Sequence, residues 1–361
     1  MDAFPRIGYA GVGAYLPRTV LTNDQIAEFV DTSDAWIQRR TGICTRRILD
    51  RDESILDMAV EAARRALDDA GIAASEIDDI RVGVNTWFRF PSLATQIQRV
   101  LGCPRAAASD VSAGCAGFIY AVEEAYNKLL TEKLRYGRDL TALVLGVDGL
   151  SHITDWTDRN TCVLLGDGAG AVVLKEVESG GILAIHTRAQ GEYGHLLHSP
   201  HVLESQMVSN GTMLFTNKAE GQRSYLKVDG PKVYPIAIDT MVKDARTVIE
   251  KYNGTVEDPI TLEDIHYVYP HQANLRIIEQ VARKLGVPLE KVYTDGIVNY
   301  GNTSTASIPI GYSDNAGRAR NEDDLEIDVA FGAGFASGAI LRRVGCKGAR
   351  RESPQRSSGS P

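Results

Sequence analysis

The chain runs through the same alternation of apolar strands and amphipathic helices twice, and each pass closes on strand sequence around a Gly-Ala-Gly, at 168–170 and at 332–334. In the first pass, apolar residues at 55, 56, 59, 62, 63 and 66 have the period of a helix, and Gly71 stops it. A capped helix is predicted to open at Thr22 or Asn23, a short helix at 34–40, a strand at 80–85 and a helix at 92–101. The unbroken apolar run 140–147 predicts a strand buried on both faces, and 162–174 predicts two strands around a glycine turn. In the second pass the pattern predicts strands at 182–188, 265–269, 325–331 and 339–344, with helices at 233–252, 272–285 and 304–316. Such alternation builds an α/β fold, and its repetition predicts two duplicated halves, 1–178 and 179–345. Residues 189–227 read as polar and irregular. The last segment, 346–361, is basic and then rich in Ser, Pro and Gly, and reads as a disordered tail.

Composition narrows the function. A net charge of -8 over 361 residues argues against nonspecific nucleic-acid binding. Five cysteines, at 44, 103, 115, 162 and 346, are scattered without a CxxC. That suits free thiols in a reducing compartment, and neither a disulfide framework nor a metal site. No apolar run approaches the roughly 20 residues that cross a membrane. No charged-then-apolar leader is evident at the N-terminus. The expectation is a soluble cytoplasmic protein, or one in an organelle whose targeting segment is not visible.

Three residues carry candidate chemistry. Cys115 lies in DVSAGCAGF (110–118), between a polar strand end and an apolar helix. The free amides and dipole of a helix start favour a thiolate, and flanking small residues leave room for a thioester. As a lone cysteine it is as readily a small buried hydrophobe. His271 follows the strand HYVYP, where a structural hydrogen-bonder is the commoner role. Asn302, in YGNTS, suits an Asx turn or a cap. Their shared context, each read at a strand-to-helix turn, is the stronger signal, because strand ends of an open α/β fold gather where ligands bind. A soft nucleophile, an imidazole and a neutral amide together point to acyl chemistry. The triplet His195, His198 and His201 lacks helical spacing and supporting carboxylates, and reads as a solvated loop. GDGAG (166–170) lacks the context of a phosphate loop and reads as a tight turn.

The stretches TSDAWIQRRTGI (32–43), DVSAGCAGF (110–118), DRNTCVLLGDGAG (158–170), PHQANLR (270–276), YGNTS (300–304) and FGAG (331–334) occur in this order over nearly the whole chain. Together they resemble the β-ketoacyl-acyl-carrier-protein synthase III family of the thiolase superfamily. The resemblance implies a five-layer αβαβα fold, a homodimer and no cofactor. It implies Cys115 as acyl-accepting nucleophile, with His271 and Asn302 acting on malonyl-acyl carrier protein. It also implies an oxyanion contact at Ala333, a wall at Phe331 and an acyl-pocket residue at Phe90. Trp36, Arg40, Arg159 and Asn274 match coenzyme A contacts, and Arg276, Arg283 and Lys284 match a carrier-docking helix. The expected reaction is condensation of an acyl-CoA starter with malonyl-acyl carrier protein, the initiation of fatty acid synthesis. The alternative is a specialised relative that handles an unusual acyl group in polyketide- or quinolone-type metabolism. A degradative thiolase is disfavoured, because the C-terminal glycine motif GAGFASG (332–338) lacks that enzyme's second cysteine. A papain-like hydrolase is disfavoured because Ala-Gly, not Trp, follows Cys115.

Overall fold

The computed structural model describes residues 4–199 and 225–345. The expected tail, His201 and most of the irregular 189–227 segment lie outside the described residues. Among the described residues, nine strands make the two larger sheets. The first contains β1 (Ile7–Tyr15), β2 (Asp79–Gly83), β3 (Ala107–Val111), β4 (Ala142–Gly149) and β5 (Asp167–Glu176), in the order β1-β5-β4-β2-β3. The second contains β6 (Gly181–Arg188), β7 (Ile265–Pro270), β8 (Leu325–Phe331) and β9 (Ser337–Arg343), in the order β6-β9-β8-β7.

The sheets have the same plan. In the first, the successive pairings are antiparallel, antiparallel, parallel and parallel. In the second they are antiparallel, antiparallel and parallel. The fifth place is taken by a single parallel bridge between Val268 and Val292. The duplication read from the sequence is therefore present, with one strand of the second half reduced to a bridge.

Among the described residues the helices of eight or more residues are α1 (Asp34–Thr41), α2 (Ile55–Ala70), α3 (Leu93–Leu101), α4 (Gly117–Tyr136), α5 (Gly230–Asn253), α6 (Leu275–Leu285) and α7 (Ser307–Asp314). They form the outer and middle layers of an αβαβα stack. Met58, Ala62 and Ala63 of α2 and Ile97 of α3 pack on Leu143, Leu145 and Val173. On the inner face, Phe118 and Val122 of α4 and Ile308 and Tyr312 of α7 meet Val144, Val172 and Ile340. Met241 and Val248 of α5 and Ile278 and Val281 of α6 cover Ile327, Val329 and Leu341. Every residue of β4 is buried, because both of its faces carry helices, as the apolar run demanded. Burying each such Val or Leu is worth about 1.5–3 kcal/mol.

The structure corrects three local readings. Residues 162–174 do not form two strands, since Gly168 and Gly170 lie inside β5. A Cβ at Gly170 would stand 2.8 Å from the Ile310 amide and from Pro309, so the glycine admits α7 against the strand. The second Gly-Ala-Gly is instead the turn between β8 and β9. The helix after His271 starts at Leu275 with Asn274 as its cap, and residues 304–306 form a 3-10 turn before α7.

Candidate active site

Cys115 sits after β3 and two residues before α4, whose cap is Ala116. His271 leaves β7 and precedes α6. Asn302 departs from expectation. It follows a short helix, Asp295–Tyr300, rather than a strand, and forms an isolated parallel bridge to Leu165, just ahead of β5.

Packing brings the turns together. A Cβ at Gly332 would lie 2.1 Å from the Cys115 amide nitrogen, and one at Gly114 (φ +54°) would lie 2.4 Å from the Ala333 nitrogen. The Cys115 and Ala333 turns, one from each half, therefore touch backbone to backbone, and side chains at 114 and 332 would force them apart. From the other side, Ser304 Oγ lies 3.5 Å from Cys115 Sγ. The Ser304 amide donates to Asn302 Oδ1 at 2.9 Å, leaving Nδ2 as the group with which Asn302 can donate. The Asn302 backbone is clamped as well. Its N–H donates to Leu164 O at 2.8 Å and its carbonyl accepts from Gly166 N at 2.9 Å.

His271 is buried, and its Nδ1 is 2.8 Å from Ser307 Oγ. That hydroxyl also accepts from the Gln272 amide at 3.3 Å. With the Ser307 hydroxyl donating to Nδ1, the ring would carry its proton on Nε2. Burial pushes the His271 pKa down to about 3, so the imidazole is neutral at physiological pH. Burial also pushes the Cys115 thiol up, to about 12, and the nearby Asp148 charge pushes in the same direction. The expectation of a thiolate favoured by a helix start is thus reversed. The helix begins beyond the cysteine, and desolvation is the largest influence on the sulfur, ahead of the Ser304 hydroxyl that pulls the other way.

Trp36, Arg40, Arg159, Asn274 and Arg276 line one cleft of about 780 Å³. The Arg40 and Arg159 guanidinium carbons lie 5.7 and 5.2 Å from the Trp36 ring centroid. Asn274 Nδ2 donates to Arg40 O at 3.2 Å, which ties α6 to α1. Val163 and Leu164 also line the cleft, and Leu164 O holds the Asn302 amide, so this wall adjoins the Asn302 turn. His195, Lys227 and Tyr234 join the lining, and sequence reasoning did not place them there. Arg283 and Lys284 sit at the far end of α6. Arg283 donates to Gln280 and Lys284 pairs with Asp239, each at 2.5 Å.

Phe331 is buried, edge-on to Phe335 with centroids 5.0 Å apart. Phe90 is 99% exposed in the single chain. Among the described residues no His, Cys, Asp and Glu group suited to a metal is present. Ser304, Ser307 and Asp148 were missed by the sequence reading. Only Asp148 carried a signal there, an acid closing an otherwise apolar strand.

The layered fold and this cysteine turn define an acyl-transferring enzyme of the thiolase architecture. Family profiles described as 3-oxoacyl-[acyl-carrier-protein] synthase III match residues 109–191 and, for its C-terminal part, 257–344. The β-ketoacyl-[acyl-carrier-protein] synthase III of Geobacillus kaustophilus is 43% identical over 94% of this chain and 99% of its own. That of Clostridium perfringens strain SM101 is 40% identical over 92% and 98%. The crystal structure of 3-oxoacyl-[acyl-carrier-protein] synthase III from Aquifex aeolicus superposes with a TM-score of 0.81 at 38% identity, covering 94% of this chain and all of that one. The priming β-ketosynthase of the R1128 polyketide pathway superposes at 0.82 with 30% identity, over 96% and 99%. The chain belongs to the 3-oxoacyl-[acyl-carrier-protein] synthase III family.

Proposed function

We propose that the chain condenses an acyl-CoA starter with malonyl-acyl carrier protein, with loss of carbon dioxide, to begin fatty acid synthesis. The observation that carries the residue roles is the contact of the Cys115, Ser304 and Ala333 turns, together with a neutral His271 held by Ser307, three residues beyond Ser304. Cys115 sulfur attacks the acyl-CoA carbonyl, and the departing CoA sulfur ends with the thiol's proton. The oxyanion formed rests on the Cys115 and Ala333 amides. Malonyl thioester then loses carbon dioxide, and its enolate oxygen accepts from His271 Nε2–H and Asn302 Nδ2–H. The carbanion attacks the acyl carbon, and the Cys115 thiolate leaves and takes a proton from solvent. A neutral donor pair suits this chemistry, because a carboxylate there would repel both malonate and enolate. The apolar wall of Phe331 disfavours the malonyl carboxylate over carbon dioxide.

Trp36, Arg40, Arg159 and Asn274 are assigned to the nucleotide and pantetheine of coenzyme A, and Arg276, Arg283 and Lys284 to the acidic carrier protein. No cofactor is assigned. We further propose a cytoplasmic homodimer. Free thiols at Cys44, Cys103, Cys115 and Cys162 support the compartment. Among the described residues no helix is long and apolar enough to cross a membrane. The exposed Phe88 and Phe90 support a second copy covering that loop. The two relatives near 40% identity bear the synthase III name, which favours this starter role over the specialised one.

The test is intact-protein mass spectrometry after incubation with a panel of acyl-CoAs. An acyl adduct mapping to Cys115 is expected. If no acyl-CoA labels it, the reading fails, and if only long or aromatic acyl groups do, the specialised role replaces it.

A further inference from the structure

The site is assembled from turns that belong to different halves, and one side chain is bonded to both. Asp148 closes β4 and is fully buried. Its Oδ1 accepts from the Asn85 amide at 2.8 Å and from Thr86 Oγ1 at 3.0 Å. Its Oδ2 accepts from Asn85 Nδ2 at 3.1 Å, Thr305 Oγ1 at 3.0 Å and the Thr305 amide at 3.4 Å. Oδ1 thus serves the first half alone, while Oδ2 joins Asn85 of the first half to Thr305 of the second.

Each arm ends next to the sulfur. Asn85 Nδ2 also donates to Gly114 O at 3.1 Å, the carbonyl of the peptide whose nitrogen is the Cys115 amide. Thr305 adjoins Ser304, which holds φ at +52°, touches Cys115 Sγ and binds Asn302 Oδ1. The carboxylate has no cationic partner in these contacts. Donors from neutral groups hold it in a dry place, an arrangement that costs desolvation and repays it in geometry. Electrostatically Asp148 opposes thiolate formation. Its benefit to a cysteine enzyme therefore lies in position rather than in activation.

We propose that Asp148 is the positioning residue that sets the Cys115 turn, through Asn85 and Gly114, in register with the Asn302–Ser304 turn, through Thr305. This rests on the reading of Cys115 as the acyl acceptor. His271, the other titratable candidate site residue bearing on this region, contacts Ser307 and is held neutral by burial. Removing the Asp148 charge should therefore make the thiol easier to ionise while the condensation slows.

The experiment compares wild type, Asp148→Asn and Thr305→Val, each checked by near-ultraviolet circular dichroism. Readouts are acyl-CoA turnover and the pH dependence of Cys115 alkylation by iodoacetamide. An amide at 148 turns an NH2 on existing donors. For Asp148→Asn the expectation is kcat lower by about 100-fold, as for ångström-scale misplacement of reacting groups, with KM for acyl-CoA changed less than about threefold. Its alkylation profile should move to lower pH. Thr305→Val keeps the charge and loses one cross-half donor. It should lower kcat by about tenfold and leave the alkylation profile in place. If both folded variants keep kcat within about twofold of wild type, the proposal is overturned. If Asp148→Asn does not fold, Thr305→Val alone decides it. If wild type takes no acyl group on Cys115, the reading of the nucleophile fails instead, and the two failures are distinct.

Discussion

Ser304 Oγ and Cys115 Sγ, 189 residues apart in sequence, are 3.5 Å apart in the structure. The contact joins the turn that presents the sulfur to the turn that presents the Asn302 amide. Cys115 is part-buried in the folded chain, and burial is the largest influence on its thiol.

With burial and Asp148 pushing the Cys115 pKa to about 12, the resting enzyme holds a thiol. Alkylation of Cys115 by iodoacetamide should climb steadily between about pH 7 and 9, with no plateau, since the thiolate is the reactive form. The check is peptide mapping of the adduct against time at each pH. A plateau near pH 7 would contradict the assignment.

His271 should add a pH-dependent term to stability. Its pKa is lowered by burial from 6.5 to about 3, so between those values the unfolded chain binds the proton and the native chain does not. Stability from this group is full above pH 6.5 and is lost as pH falls toward 3. Urea unfolding of wild type and His271→Gln at a series of pH values checks it. The variant should lose less stability over that window.

Ser307→Ala removes the partner of His271 Nδ1 at 2.8 Å and the acceptor of the Gln272 amide at 3.3 Å. Losing one orienting hydrogen bond of about 1.4 kcal/mol should slow malonyl decarboxylation roughly tenfold. Acylation of Cys115 should change much less. Rates of the two half-reactions, measured separately, check this.

Trp36→Ala removes the ring that both Arg40 and Arg159 face, at 5.7 and 5.2 Å. Cation–π and stacking losses of about 1–2 kcal/mol should raise KM for acyl-CoA roughly tenfold and leave kcat near wild type. Steady-state kinetics with one acyl-CoA checks it, and a fall in kcat alone would contradict the assignment of this cleft.

Periodic stretches were legible from the sequence and turns were not. The 55–66 pattern became α2, and the 140–147 run became β4, buried throughout. Thr22 caps a helix as expected, with a reciprocal bond to Gln25. The two Gly-Ala-Gly tripeptides look alike in sequence. Yet one lies in β5 against α7 and the other turns between β8 and β9, because a glycine records only that something comes close. Phe90 illustrates the same limit. A motif located it, but its exposure depends on what surrounds the loop.

Hydrophobic period, residue type and order in the chain were enough to specify the duplicated α/β layers and to single out Cys115, His271 and Asn302. Those are local properties, and local sequence carries them. Three matters belonged to the tertiary structure alone: the protonation of the thiol and imidazole, the Ser307 contact that orients His271, and the Asp148 bonds that bridge the halves. Each depends on dielectric surroundings or on hydrogen bonds between residues far apart in the chain, and these exist only once the two halves have packed.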